Sequence, residues 1–138
     1  MTWQDFSDTN EIEYTENRIT ETEISFYEKE MGVPMGPQLR EYLLNYGYIA
    51  FLFVELYGIN SIQKENSDMV KQTKFLHEQF PLTKDLIVLE DQGDGDYYLV
   101  DHEDVVYRYI MGSETVSNQE IKLFEYITKR FEDIKRLV

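Results

Sequence analysis

The amino-acid sequence predicts an α+β domain, with helices packed against a mostly antiparallel sheet. Three observations carry that prediction. Apolar residues recur at helical spacing through the first half of the chain and again at its C-terminal end. From Asp85 onward the period switches to two. The strand-like runs there are so closely spaced that only hairpin turns can join them, which demands antiparallel pairing.

The elements follow in order. Residues 1–18 have no clean periodicity; their acids are interspersed with Trp3, Phe6, Ile12 and Tyr14, and they read as a loosely ordered arm pinned by its aromatics. In ITETEISFYEKEMG, Thr20 and Glu23 have the spacing of a capping box, Ile24, Tyr27 and Met31 share a face, and Gly32 can close the helix. After a short break, Pro37 stands at the first position of a second helix carrying Leu39, Tyr42, Leu43 and Tyr46, and Gly47 stops it. YIAFLFVELYG, rich in aromatic and β-branched residues, reads as one strand ended by Gly58. A polar turn leads to a third helix with Ser67 or Asp68 as its cap, Met69, Thr73, Leu76 and Phe80 at helical spacing, and Pro81 at its end. LIVLE, DYYLVD and VVYRYI form a meander. With Asp101–Asp104 as its second turn, Val100 faces Val105; Tyr98, Val100, Val105, Tyr107 and Tyr109 then face the core, and Tyr97, Leu99, Val106 and Arg108 face the half-solvated side. SNQEIKLFEYITKRFEDIKRLV reads as a final helix, with Ser117 and Glu120 as a capping box and Ile121, Phe124, Ile127, Phe131 and Ile134 as its apolar stripe. Lys129, Arg130, Lys135 and Arg136 complement its dipole. A single domain over 1–138 accommodates all of this.

Composition narrows the function classes. The chain has no cysteine, which removes disulfides, zinc thiolates and cysteine nucleophiles. No apolar run reaches membrane-spanning length and the N-terminus is acidic, so a cytoplasmic protein is expected. The formal net charge of −14 opposes binding to nucleic acid or to an anionic membrane. It favours encounter with a basic partner, as well as plain solubility.

DQGDGDYYLVD is the stretch on which chemistry could turn. A calcium loop of the EF-hand kind fails on spacing: counted from Asp91, the third and fifth positions are Gly93 and Gly95, the sixth is Asp96 and the twelfth is His102. Catalysis has no constellation either, since His77 and His102 lack triad partners and a solvated glycine turn does not differentiate its carboxylates. No cofactor or metal is expected. Asp94-Gly95 is a hairpin signal because both central positions need positive φ, and Gly93 allows a bulge beside it. Asp94 and Asp96 are then left facing solvent.

Taken together, MGVPMGPQLREYLLNYG, VELYGI, LIVLEDQGDGDYYLVD, VVYRY and the last amphipathic helix resemble, in that order, the SUKH superfamily, the Smi/Knr-like proteins. The similarity runs from about Ile19 onward. Val33-Pro34 and Gly36-Pro37 stand where the family usually has Leu-Pro, and Gly47-Tyr48 where it often has paired glycines. The resemblance implies a non-enzymatic binding domain. In bacteria, such proteins are largely immunity proteins that block a co-encoded toxin, often a nuclease; fungal relatives act in cell-wall regulation, which leaves a scaffold or regulatory module as the alternative. A nuclease carries a basic cleft, which an acidic protein can fill. The contact residues then expected are Glu55 and Tyr57 on the strand, Asp91, Asp94 and Asp96 at the first turn, and Asp101, Glu103 and Asp104 at the second.

Overall fold

The computed structural model describes residues 2–15, 19–59 and 68–138. The polar turn expected after Gly58 and the alternative cap Ser67 lie outside the described residues, as do residues 16–18 of the N-terminal arm.

The order of elements is α1 (Trp3–Thr9), β1 (Glu13–Tyr14), α2 (Glu21–Met31), α3 (Pro37–Asn45), β2 (Ile49–Phe51), β3 (Val54–Leu56), α4 (Met69–Gln79), a short 3₁₀ turn (Pro81–Thr83), β4 (Ile87–Asp91), β5 (Asp96–Val100), β6 (Val105–Ile110), β7 (Ser117–Lys122) and α5 (Leu123–Arg136). The strands form two antiparallel sheets, β1-β2-β3 and β4-β5-β6-β7, and the class is α+β as expected. The Tyr57 N–H donates to the Leu89 carbonyl at 2.7 Å and ties the smaller sheet to the larger one.

Local chemistry explains most of the helix ends. Thr20 and Glu23 exchange capping hydrogen bonds, and Gly32 closes α2 at φ 72°. Pro37 opens α3, where its missing N–H costs nothing. Asp68 caps α4 by accepting from the N–H groups of Val70 and Lys71. Gly58 is required by close approach: a Cβ there would stand 2.0 Å from the Gly47 carbonyl oxygen.

Both faces of the larger sheet are covered. On one side Ile87, Leu89, Val100 and Val106 join a core built with α1, α2, α3 and α5. On the other, Val88, Tyr97, Leu99 and Tyr109 pack with Leu76 of α4.

Within the N-terminal arm, Thr2 and Asp5 form a capping box for α1, and Trp3 and Phe6 are buried against α5, with Trp3 stacked on Phe124. The structure corrects three readings. The single strand expected in YIAFLFVELYG is a hairpin, with Phe51 paired to Val54 and Leu52-Phe53 as a two-residue loop. Leu52 takes φ 54°, a conformation that costs an L-residue roughly 1–2 kcal/mol. The meander register is offset by one. Val100 pairs with Val106, because the Asp101 N–H donates to the Val105 carbonyl and Asp104 adopts φ 67° in a three-residue loop. The face read as half-solvated is covered by α4, so Tyr97 and Leu99 are buried with Leu76 while Tyr98 is only partly so. Finally, Ser117–Lys122 is β7 and not the start of the last helix, so Ser117 and Glu120 do not form a capping box. The unpaired edge of β6 recruits this polar segment as an edge strand, and a bulge that includes Glu120 at φ 56° delays the helix to Leu123.

Candidate functional site

The eight residues expected to make contacts fall in three places. Tyr57, Asp91, Asp94 and Asp96 gather at the β4–β5 turn. Asp101, Glu103 and Asp104 lie at the β5–β6 turn, at the far end of β5, a strand of five residues or roughly 16 Å. Glu55 lies on the smaller sheet, where it pairs with Ala50.

The β4–β5 turn has the geometry that Asp-Gly announces. Asp94 and Gly95 take φ 53° and 81°, and the Asp96 N–H donates to the Gly93 carbonyl at 3.2 Å. Gly93 adopts φ 123°, and its N–H is held by Asp91 Oδ1 at 2.8 Å. Asp94 is exposed, and its carboxylate has no hydrogen-bond or ion-pair partner among the described residues. Asp96 differs from expectation. It faces its cross-strand neighbour Arg108 and receives Nε and Nη2 hydrogen bonds at 2.8 and 2.9 Å, which raises the guanidinium's already high pKa.

Aromatic and aliphatic surface lies beside these acids. Burial, then the nearby Asp91 carboxylate, pushes the Tyr57 phenol up to about 12. The same two causes raise Tyr97. Across the turn, the Met111 N–H donates to the Gly95 carbonyl, and Ile110 and Met111 are each 49% exposed. One end of the sheet therefore presents unpaired negative charge next to apolar side chains.

The other turn is built differently. Asp101 Oδ1 accepts from the N–H groups of Glu103 and Val105, and its Oδ2 accepts from the Tyr107 hydroxyl. Asp104 is only 2% exposed, and its carboxylate accepts from the Gln38 and Leu39 N–H groups at 2.9 and 3.0 Å. It thus caps α3 from across the fold, where Gly36 offers no side chain of its own, and a Cβ on Gly36 would stand 2.5 Å from that carboxyl group. Asp104 therefore leaves the contact set: burial removes it from any partner's reach. Only Glu103 remains exposed here, with His102 beside it at 3.5 Å. The other histidine, His77, is half-buried on α4 with Nε2 2.7 Å from the Leu86 carbonyl, which it meets as a donor.

Sequence reasoning missed one buried polar cluster. Glu90 is 2% exposed and points at α5, where it accepts from the Tyr126 hydroxyl and from Arg130 Nε and Nη2 at 3.2–3.3 Å. A bulge at Leu89 turns it there, since Val88 pairs with Leu99 and Glu90 with Tyr98. Burial and the Glu90 carboxylate hold the Tyr126 phenol far above its usual range, so it remains a donor. Arg130 was expected to serve the helix dipole; its main partner is this carboxylate. The signal was an acid ending the apolar run LIVLE, but only the bulge decides which way it faces. These groups satisfy one another, and the cluster holds α5 to the sheet. Among the described residues, no three histidine or carboxylate side chains converge as a metal ion would need.

The SUKH_5 family model, described as SMI1-KNR4 cell-wall, matches residues 4–132. A search of the curated proteins found no match.

Proposed function

The chain belongs to the SUKH family of SMI1-KNR4 proteins, and from that membership we propose that it is a bacterial immunity protein that neutralises a cognate toxin by binding it, without catalysis. The observation that carries the reading is the placement of acid. The chain has a formal charge of −14, and Asp94 stands unpaired at a sheet end beside Ile110 and Met111. A toxin that acts on nucleic acid presents cations that hold phosphates. An acidic protein with an apolar anchor competes for that cleft, gains encounter rate from its field, and excludes the substrate. Tyr57 and Asp91 extend the contact, and Glu55, Glu103 and the more distant acids contribute long-range attraction.

Co-expression with the product of the adjacent toxin gene tests this. We expect a stoichiometric complex, protection of the cells, and an association rate that falls steeply as salt is raised. Absence of a complex, or an association indifferent to salt, would sink the reading. The family description also supports a second role, a regulatory module that recruits cellular proteins. A gene neighbourhood without a toxin gene, together with binding to endogenous proteins, would favour it.

A further inference from the structure

The tip of the β2–β3 hairpin exposes two large apolar side chains. Phe53 is 67% exposed and Leu52 is 54% exposed, both at the tip of the hairpin. The loop is strained as well as exposed: Leu52 holds φ 54°, where glycine is the usual occupant of a two-residue hairpin loop. A chain that tolerates both backbone strain and unburied apolar area at one point gains nothing there in its isolated state. Behind the tip the register fixes a charged row. Glu13 pairs with Ala50 and Ala50 with Glu55, so the two glutamates share a face and flank a small residue across two strand spacings, roughly 10 Å. Both are exposed. Tyr48, two positions before Ala50, lies near both carboxylates, and burial followed by their charge raises its phenol. The inner row, Ile49, Phe51, Val54 and Leu56, is buried in the core; on the opposite face Ala50 is covered as well, at 2% exposure, and the two glutamates are what reaches solvent.

We infer that the Leu52-Phe53 tip is an anchor that enters an apolar pocket on a partner protein, and that Glu13 and Glu55, on either side of Ala50, receive lysine or arginine side chains at that pocket's rim. This inference rests on the immunity reading and adds to it a second contact surface, distinct from the β4–β5 turn. Charge selects the occupant. Two copies of this chain would set glutamate against glutamate around the tip and bring two charges of −14 together. An anionic membrane would be repelled in the same way. A basic protein satisfies both the aromatic anchor and its acidic surround, and exposed aromatics in such settings are frequent binding hot spots.

The test uses the full chain, with the adjacent toxin gene's product as probe. Phe53→Ser should weaken binding by about 30-fold or more and leave the melting temperature unchanged. Leu52→Gly should weaken binding while raising the melting temperature by about 3 °C, since it relieves the strain. Glu13→Lys with Glu55→Lys should slow association. Phe75→Ser, which removes another exposed aromatic from α4, should change none of these. If wild type binds and Phe53→Ser binds equally well, this surface is wrong and the immunity reading stands. If wild type does not bind, both fail together. A drop in melting temperature for Phe53→Ser would show the tip to be structural and overturn the inference. So would a self-associated dimer in sedimentation, or binding to phosphatidylcholine vesicles, that Phe53→Ser abolishes.

Discussion

The two turns that bracket β5 look alike in sequence. Each is short, each is rich in aspartate, and each has an aspartate in the left-handed region, Asp94 at φ 53° and Asp104 at φ 67°. Their carboxylates nevertheless do opposite things. At the β4–β5 turn, glycines supply the bend, Asp91 steadies the Gly93 N–H, and Asp94 remains in water. At the β5–β6 turn no glycine is present, so the side chains do the folding: Asp101 holds two loop N–H groups, and Asp104 is buried on the end of α3. Acid count therefore says little about a binding surface. What matters is whether the backbone nearby has unsatisfied donors that claim the carboxylate first.

The sharpest way to break the comparison is Asp104→Ala. It removes a buried charged acceptor and strands two N–H groups, so urea denaturation should show a loss of about 3 kcal/mol. A loss below about 0.5 kcal/mol would mean that α3 does not depend on this cap. Gly95→Val comes next. The residue holds φ 81°, and an added Cβ would meet the Met111 Cβ at 2.7 Å, so we expect about 2 kcal/mol of destabilisation. An unchanged melting temperature would contradict the turn geometry.

A pH titration probes the phenol beside Asp91. Tyr57 is raised from 10.0 to about 12 in the folded chain, so between those values the unfolded chain has released a proton that the folded chain keeps. Its contribution to stability is full below pH 10 and declines as pH rises toward 12. Tyr57→Phe should flatten that part of the stability profile; an identical alkaline profile would exclude Tyr57 as a source. The smallest effect on stability belongs to Asp94→Lys, which should stay within about 0.5 kcal/mol of wild type while weakening toxin binding at least tenfold. Tight binding by this variant would remove Asp94 from the proposed contact. Against Asp104→Ala it completes the contrast: one aspartate matters to the fold alone, the other to the partner alone.

Features that depend on a few consecutive residues were legible in advance. The Thr20–Glu23 cap, Pro37 opening α3, the stop at Gly32 and the Asp94-Gly95 turn all follow from local sterics and nearby donors. The α+β class and the amphipathic stripe of Ile127, Phe131 and Ile134 follow from periodicity. The misreading of the last helix has a clear cause. Ser117 and Glu120 fit a helix cap, but the open edge of β6 outcompetes it, because a ladder of backbone bonds outweighs one local signal.

The candidate site divides along the same line. That Tyr57 comes within reach of Asp91, that Asp104 turns inward to α3, and that a bulge at Leu89 aims Glu90 at Arg130 are facts about residues distant in the chain. The helices α2, α3 and α4, the β4–β6 meander, the turn glycines and the strongly negative charge were readable from the chain, because each is set by near neighbours or by composition. Which carboxylates are buried, which are paired and which stay in water emerged only with the fold. A side chain's solvation depends on what the fold brings against it, and no local pattern encodes that.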